Sequence, residues 1–246
     1  MKKTYRLAGL IMASVMFLSS CTPIGKAQQN GWIKKLGEAF PEDTFTYEGH
    51  PRNLGLEYSK VLVKSELFPD DEIRLWKENG KLCTNYHYIA YEKDIYEELH
   101  RVLDGRFPCS SCVIMGADEP SNGFPVEATD AEKYIKDYMN YRCRVLLFYE
   151  DESQIPDDDE IKEIIYDLIA DERHVYTLYL YYIDAQYADD KYEGVRYSKL
   201  TDASILDKYK VRFQLSMKDT DHISRIDVEY NDGSDNDHTI VRDIDV

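Results

Sequence analysis

The stretch Cys143-Arg-Val-Leu-Leu-Phe-Tyr149 is a nearly continuous run of apolar residues. It predicts a central strand, because a strand covered on both faces carries apolar side chains at almost every position. Asp157-x-x-Glu160 follows Pro156 and predicts a helix start of the capping-box type. The apolar residues of that helix fall at helical spacing on one face, namely Ile161, Ile164, Ile165, Leu168 and Ile169. A further strand is predicted over 175–183.

Shorter patterns on either side of this stretch predict more strands and further helices. Apolar residues alternate with polar ones over 209–217, which is typical of a half-buried strand. Asn79-Gly80 stands between two strand-like runs and predicts a hairpin, because both central turn residues need a positive φ. The alternative for that region is a helix that ends at Gly80. Helical spacing of Ile95, Leu99, Val102 and Leu103 predicts a helix that stops near Gly105.

These elements together predict an α+β fold with largely antiparallel sheets and helices packed on one face. A segment rich in Pro, Gly, Ser and Asn separates the two halves of the chain. We therefore expect two similar subdomains, over 41–117 and 127–246, joined near residues 117–127.

The N-terminus has the composition of a secretory signal peptide over residues 1–20. Lys2, Lys3 and Arg6 precede an apolar run from Leu7 to Leu18. That run is short for a membrane span and is followed by small residues, as in cleaved signal peptides.

The exit sequence Leu18-Ser19-Ser20-Cys21 resembles the lipobox of bacterial lipoproteins, which signal peptidase II cleaves. The resemblance covers the first 21 residues only and implies that the Cys21 thiol carries a diacylglyceryl group, with palmitate as a typical acyl chain. It also implies a protein anchored to the cell membrane and facing outside the cytoplasm. Two or three acyl chains hold a protein firmly at a bilayer. Residues 21–40 are then expected to form a lipidated N-terminus and a tether.

Composition excludes some functions for this acidic chain of 246 residues. The formal net charge is -17, which repels the phosphate backbone and argues against a nucleic acid partner. No internal apolar run reaches the length of about 18 residues that a membrane span needs. The predicted membrane association is through the N-terminal lipid alone.

Besides Cys21, the chain has four cysteines, at Cys83, Cys109, Cys112 and Cys143. An exported protein with an even number of cysteines is expected to contain at least one disulfide among them. Cys109-Ser-Ser-Cys112 has the spacing of redox-active motifs, but a strand-like run and not a helix follows it. A zinc site made of all four thiolates is an alternative, although two of the cysteines lie far apart in sequence.

The sequence carries none of the common catalytic signatures, such as a nucleophile elbow, a phosphate-binding glycine loop or a paired-histidine zinc motif. No catalytic residue, cofactor or metal ligand is therefore predicted. Tyrosine is abundant, and its alternation in the strand over 175–183 places Tyr179 and Tyr181 on one face with the leucines on the other. We expect these two rings to point outward as a binding face.

The function expected from these observations is that of a membrane-anchored extracytoplasmic lipoprotein. A non-enzymatic binding or accessory protein, with a protein or glycan partner, is favoured. The alternatives are a hydrolase that acts on cell-wall or glycan material through carboxylates, and a solute receptor for a transporter.

Overall fold

Two β-sheets organise the chain in the computed structural model, which describes residues 24–51, 60–118, 124–172, 174–219, 222–231 and 240–244. Its strands are β1 (Phe45–Gly49), β2 (Lys60–Ser65), β3 (Ile73–Glu78), β4 (Lys81–Thr84), β5 (Ser111–Ile114), β6 (Phe124–Pro125), β7 (Asn140–Tyr149), β8 (Val175–Asp184), β9 (Tyr209–Asp219), β10 (His222–Tyr230) and β11 (Ile240–Ile244). Its α-helices are α1 (Lys26–Ala39), α2 (Tyr86–Ala90), α3 (Glu92–Leu103), α4 (Ala131–Tyr138) and α5 (Asp158–Asp171). The predicted signal peptide and Cys21 lie outside the described residues.

The strand order is β1-β2-β3-β4-β6 in the first sheet and β11-β10-β9-β8-β7-β5 in the second. Neighbouring strands are antiparallel except β7 and β8, which are parallel. The predicted α+β fold with largely antiparallel sheets is confirmed. Within the described ranges, no helix combines the length and the apolar composition that crossing a bilayer requires.

Helix α5 makes the parallel pairing of β7 with β8 possible, because parallel neighbours need a crossover connection. Asp157 caps this helix: its carboxylate accepts the backbone N–H groups of Asp159 and Glu160, and the Glu160 side chain accepts the N–H of Asp157. The buried residues of the helix include Ile161, Ile165 and Leu168. The predicted helix start and apolar face are both confirmed.

The hairpin at Asn79-Gly80 is also confirmed, and the helical alternative is wrong. Strands β3 and β4 pair up to Glu78 and Lys81, on either side of the turn. Asn79 has φ 50° and Gly80 has φ 80°. Both values lie in the left-handed region that a tight turn of this type requires.

The tether predicted over 21–40 is wrong from Lys26 onward, where α1 begins. Trp32, Leu36 and Phe40 follow each other at four-residue spacing and are all buried. The polar composition around Pro23 and Gly25 suggested a flexible segment. Trp32 and Leu36 stabilise a helix instead, because residues four apart lie on the same helix face, and Phe40 directly follows the last turn.

The chain divides into two compact units, but at boundaries that differ from those predicted. The first unit holds the described residues up to Ala90 together with 124–130, and the second unit holds the rest. Helix α3 and strand β5 therefore belong to the second unit, although the sequence placed them in the subdomain over 41–117. The physical reason is strand pairing: β6 pairs with β4, whereas β5 pairs with β7.

Candidate functional site

The predicted tyrosine face is not a free surface in the structure. Tyr181 is only 4% exposed and belongs to an apolar cluster with residues such as Leu146, Phe148 and Ile183. The irregular segment 185–208 covers this face of the second sheet, and its residues Ile205 and Leu206 pack into the same cluster. The outward orientation predicted for Tyr181 is therefore wrong.

Tyr179 is half-buried and already has a cationic partner within the protein. The guanidinium carbon of Arg144 lies 5.0 Å from the centroid of the Tyr179 ring and 3.6 Å from that of Tyr197. Arg144 Nη1 also donates to Asp118 Oδ2 at 2.7 Å. The Tyr179 ring thus already makes a cation–π contact with the chain's own arginine.

The four cysteines outside the N-terminal segment are free thiols in the structure. Cys83 lies in β4 and Cys143 in β7, so they are not cross-strand neighbours in one sheet. Cys109 and Cys112 hydrogen bond to each other. This bond and burial both raise the pKa of Cys112, whereas at Cys109 the bond lowers the pKa and outweighs the opposite effect of burial. The disulfide among these residues stays a prediction, and Cys109 and Cys112 are the pair in contact.

A different group of side chains surrounds a cavity of about 680 Å³ in the second unit. The lining comes from α3, α4 and the segment between α5 and β8, namely Asp94, Glu97, Glu98, Arg101, Ala131, Glu132, Ile135, Lys136 and His174. Four of these side chains are carboxylates and two are basic. The cavity is therefore acidic, and a positively charged ligand is the one that its field favours.

Arg101 lies between two carboxylates at this cavity. Its Nε and Nη2 atoms donate to the two oxygens of Glu98 at 2.7 Å each. Its Nη1 and Nη2 atoms donate to the two oxygens of Glu172 at 2.7 and 2.8 Å. The bonds from Arg101 are the main reason that the pKa of Glu172 is lowered. Both carboxylates are thus held on one guanidinium group.

His174 completes this cluster. Burial lowers its pKa, in opposition to the negative charges of Glu98 and Glu172, so the imidazole is neutral at neutral pH. The two carboxylates and the imidazole each offer one ligand atom, and these atoms all lie within 4.8 Å of one another. Among the described residues this is the one group of at least three histidine, cysteine or acidic side chains close enough to hold a metal ion.

Two buried tyrosines support the cluster from the second sheet. Tyr141 and Tyr176 stack with their centroids 5.6 Å apart, and the His174 ring meets Tyr141 edge-on at 4.9 Å. Tyr176 donates from its hydroxyl to the backbone oxygen of Glu172 at 3.3 Å. The Tyr141 hydroxyl is buried without a hydrogen-bond partner, and the charges that act on it are led by those of Glu98, Arg101 and Glu172.

The sequence analysis predicted none of these residues. Glu98 and Arg101 stand three apart on α3, and Glu172-x-His174 directly precedes β8. Such spacings are common among the many acidic residues of this chain. Only the packing of α3 beside the start of β8 makes them a cluster.

No protein-family model matches the chain, and no curated protein matches it. Among solved structures, the chain is similar to a DUF5037 family protein from Ruminococcus gnavus. Their sequence identity is 14%, the alignment covers 78% of this chain and 94% of that chain, and the TM-score is 0.38. A similarity of this extent carries no inference about activity.

Proposed function

We propose that the protein is a membrane-anchored extracytoplasmic lipoprotein whose second unit binds a small cationic ligand. The observation that carries the binding role is the acidic cavity between α3 and α4. The lipid anchor rests on the resemblance of the first 21 residues to bacterial lipoproteins.

The cavity suits binding better than carboxylate-based hydrolysis. A hydrolase of that kind needs one carboxylic acid with a raised pKa, so that it can donate a proton. Every described aspartate or glutamate whose pKa clearly departs from its ordinary value has it lowered. The hydrolase alternative therefore has no support from the described carboxylates.

The lipid anchor is tested by labelling cells with radioactive palmitate. We expect the wild-type protein to carry the label and Cys21→Ala to lose it entirely, because the acyl chains need this thiol. Cys109→Ala, which leaves the lipobox intact, is the control and should keep the label. Persistent labelling of Cys21→Ala would contradict the lipid anchor.

The binding role is tested with spermidine, a flexible probe with several ammonium groups. Glu97→Gln removes one carboxylate of the cavity and is expected to weaken spermidine binding about fivefold, as measured by equilibrium dialysis of the mature protein in detergent. Glu38→Gln in α1 is the matched control. Glu97 and Glu38 are both exposed, and each pairs with a lysine four residues earlier, at 3.4 and 3.3 Å respectively. Equal effects of the two substitutions, or no saturable binding, would contradict a cation site in the cavity.

A further inference from the structure

We infer that Glu98, Glu172 and His174 form a binding site for a divalent transition-metal ion, with Zn²⁺ as the best match. The inference names a ligand class for the acidic cavity and in that respect rests on the proposed function. It does not depend on the lipid anchor.

The chemistry of the donors favours zinc over the hard cations. Zn²⁺ is bound in proteins by imidazole nitrogen and carboxylate oxygen at about 2.0–2.2 Å. Ca²⁺ and Mg²⁺ prefer oxygen ligands and more of them than this cluster provides. Glu98 and His174 line the open cavity, so three protein ligands would leave the fourth position of a tetrahedral zinc ion to water or to a second ligand.

The geometry needs only a small contraction of the cluster. Ligand atoms on a tetrahedral zinc ion lie about 3.3 Å apart, as follows from the usual bond lengths. In the structure the three candidate atoms lie within 4.8 Å of one another. Both carboxylates end flexible side chains, so rotations of Glu98 and Glu172 can close this difference.

Arg101 fills the place that the metal would take. Its guanidinium bonds both carboxylates and neutralises part of their charge. The Arg101 side chain is 52% exposed, so it can turn into solvent when a metal ion replaces it. Without a metal, the positive charge of Arg101 thus partly neutralises the two carboxylates of the cluster. Arg101 therefore competes with a metal ion for them.

Tyr141 provides the second observation that points to a ligand. Its side chain is fully buried, and its hydroxyl is a donor without an acceptor. The charged groups that act on this hydroxyl are chiefly those of the cluster. The Tyr141 ring contacts the His174 ring edge-on, with the centroids 4.9 Å apart, so this unsatisfied donor belongs to a residue that touches the cluster. An acceptor at the cluster, such as a metal-bound water, would satisfy the hydroxyl, and outer hydrogen bonds of this kind orient the ligands at metal sites.

The test uses Co²⁺ as a spectroscopic probe for zinc, on mature protein purified in detergent, treated with a chelator and alkylated at its accessible thiols. We expect one equivalent to bind without the intense sulfur charge-transfer absorption that thiolate ligands give. Zn²⁺ should displace the bound Co²⁺. His174→Ala and Glu172→Gln should each weaken binding by about 100-fold or more, and Tyr141→Phe by about tenfold.

The Arg101→Ala variant distinguishes a metal site from an ion cluster that only stabilises the fold. If Arg101 competes with the metal, its removal should strengthen Co²⁺ binding about fivefold. If the cluster only stabilises the fold, the same substitution would remove ion pairs and would not strengthen Co²⁺ binding. His222→Ala, at an exposed histidine of β10, is the control and should leave the affinity unchanged.

The inference is overturned if the wild type binds no Co²⁺ at millimolar concentration, or if His174→Ala binds as the wild type does. It is also overturned if a folded Arg101→Ala variant binds more weakly. Spermidine binding that depends on Glu97 would in those cases leave the proposed function standing. Zinc binding without spermidine binding would support the metal site and contradict the proposal that the cavity binds an organic cation.

Discussion

Asp43→Ala is expected to lower the free energy of unfolding of the first unit by about 4 kcal/mol. The Asp43 carboxylate is buried and accepts hydrogen bonds from five donors. The donors are the backbone N–H groups of Thr44, Glu66 and Leu67 and the hydroxyls of Ser65 and Tyr86. Alanine leaves them without their acceptor, and each buried donor that stays unpaired costs about 1–3 kcal/mol.

Urea unfolding followed by tryptophan fluorescence measures this loss. Both tryptophans of the chain, Trp32 and Trp76, lie in the first unit, so their emission reports on it specifically. Glu42→Ala is the neighbouring control at an exposed position, and its effect should stay within about 0.5 kcal/mol. A loss below about 1 kcal/mol for Asp43→Ala would show that the hydrogen-bond network is not a main support of the unit.

Asp43 should also make the stability of the first unit depend on pH. Burial acts to raise the pKa of Asp43, but the hydrogen bonds from Ser65, Tyr86 and the backbone outweigh it, and the pKa lies below its ordinary value of 3.8. A carboxyl with a lowered folded-state pKa stabilises the fold at pH values above its unfolded pKa, and this stability is lost as the pH falls through the folded pKa. The first unit should therefore lose stability below about pH 4, and Asp43→Ala should reduce that dependence.

Gly116→Ala is expected to destabilise the second unit by about 3 kcal/mol. A Cβ atom at this position would lie 2.5 Å from the backbone oxygen of Gly194 and 3.1 Å from the backbone nitrogen of Arg196. The two segments are close because Gly116 N–H donates to Val195 O at 3.1 Å and Gly194 N–H donates to Ile114 O at 3.0 Å. Backbone atoms cannot rotate away, so the segments must separate.

Urea unfolding followed by far-ultraviolet circular dichroism tests this prediction. Gly31→Ala is the control, because a Cβ atom there meets nothing within 4 Å and Gly31 lies inside α1. In a helix interior alanine is favoured over glycine by about 1 kcal/mol, so the control should stabilise the protein. Wild-type stability of Gly116→Ala would mean that the contact between 114–116 and 194–196 does not hold in solution.

The sequence predicted several elements from local patterns. The capping box at Asp157 and the turn at Asn79-Gly80 follow from interactions between neighbouring residues, and the alternation in β9 follows from the two-residue period of a strand. Helix α1 was missed because its few apolar side chains are embedded in a polar segment. Their four-residue spacing, from Trp32 to Phe40, was nevertheless present.

The tyrosine face and the metal-ligand cluster needed tertiary information. Alternation correctly placed Tyr181 opposite the leucines of β8, but it says nothing about what covers each face. The covering segment 185–208 has short 3-10 turns and no regular apolar period. The cluster joins Glu98 with Glu172 and His174, which lie more than 70 residues further along the chain.

Each unit is built from two separate segments of the chain, and this limits the order in which the units can fold during synthesis. The first unit lacks β6, and with it the hydrogen bond from Val126 N–H to Leu82 O, until α3 and β5 have already emerged. Strand β5 must in turn wait for β7, its partner in the second sheet. No single cut of the polypeptide therefore separates the two units from each other. A fragment that ends after Ile114 and before Phe124 would carry α3 and β5 without the second sheet. It would also lack β6, which leaves β4 as an exposed edge where pairing with another chain becomes favourable.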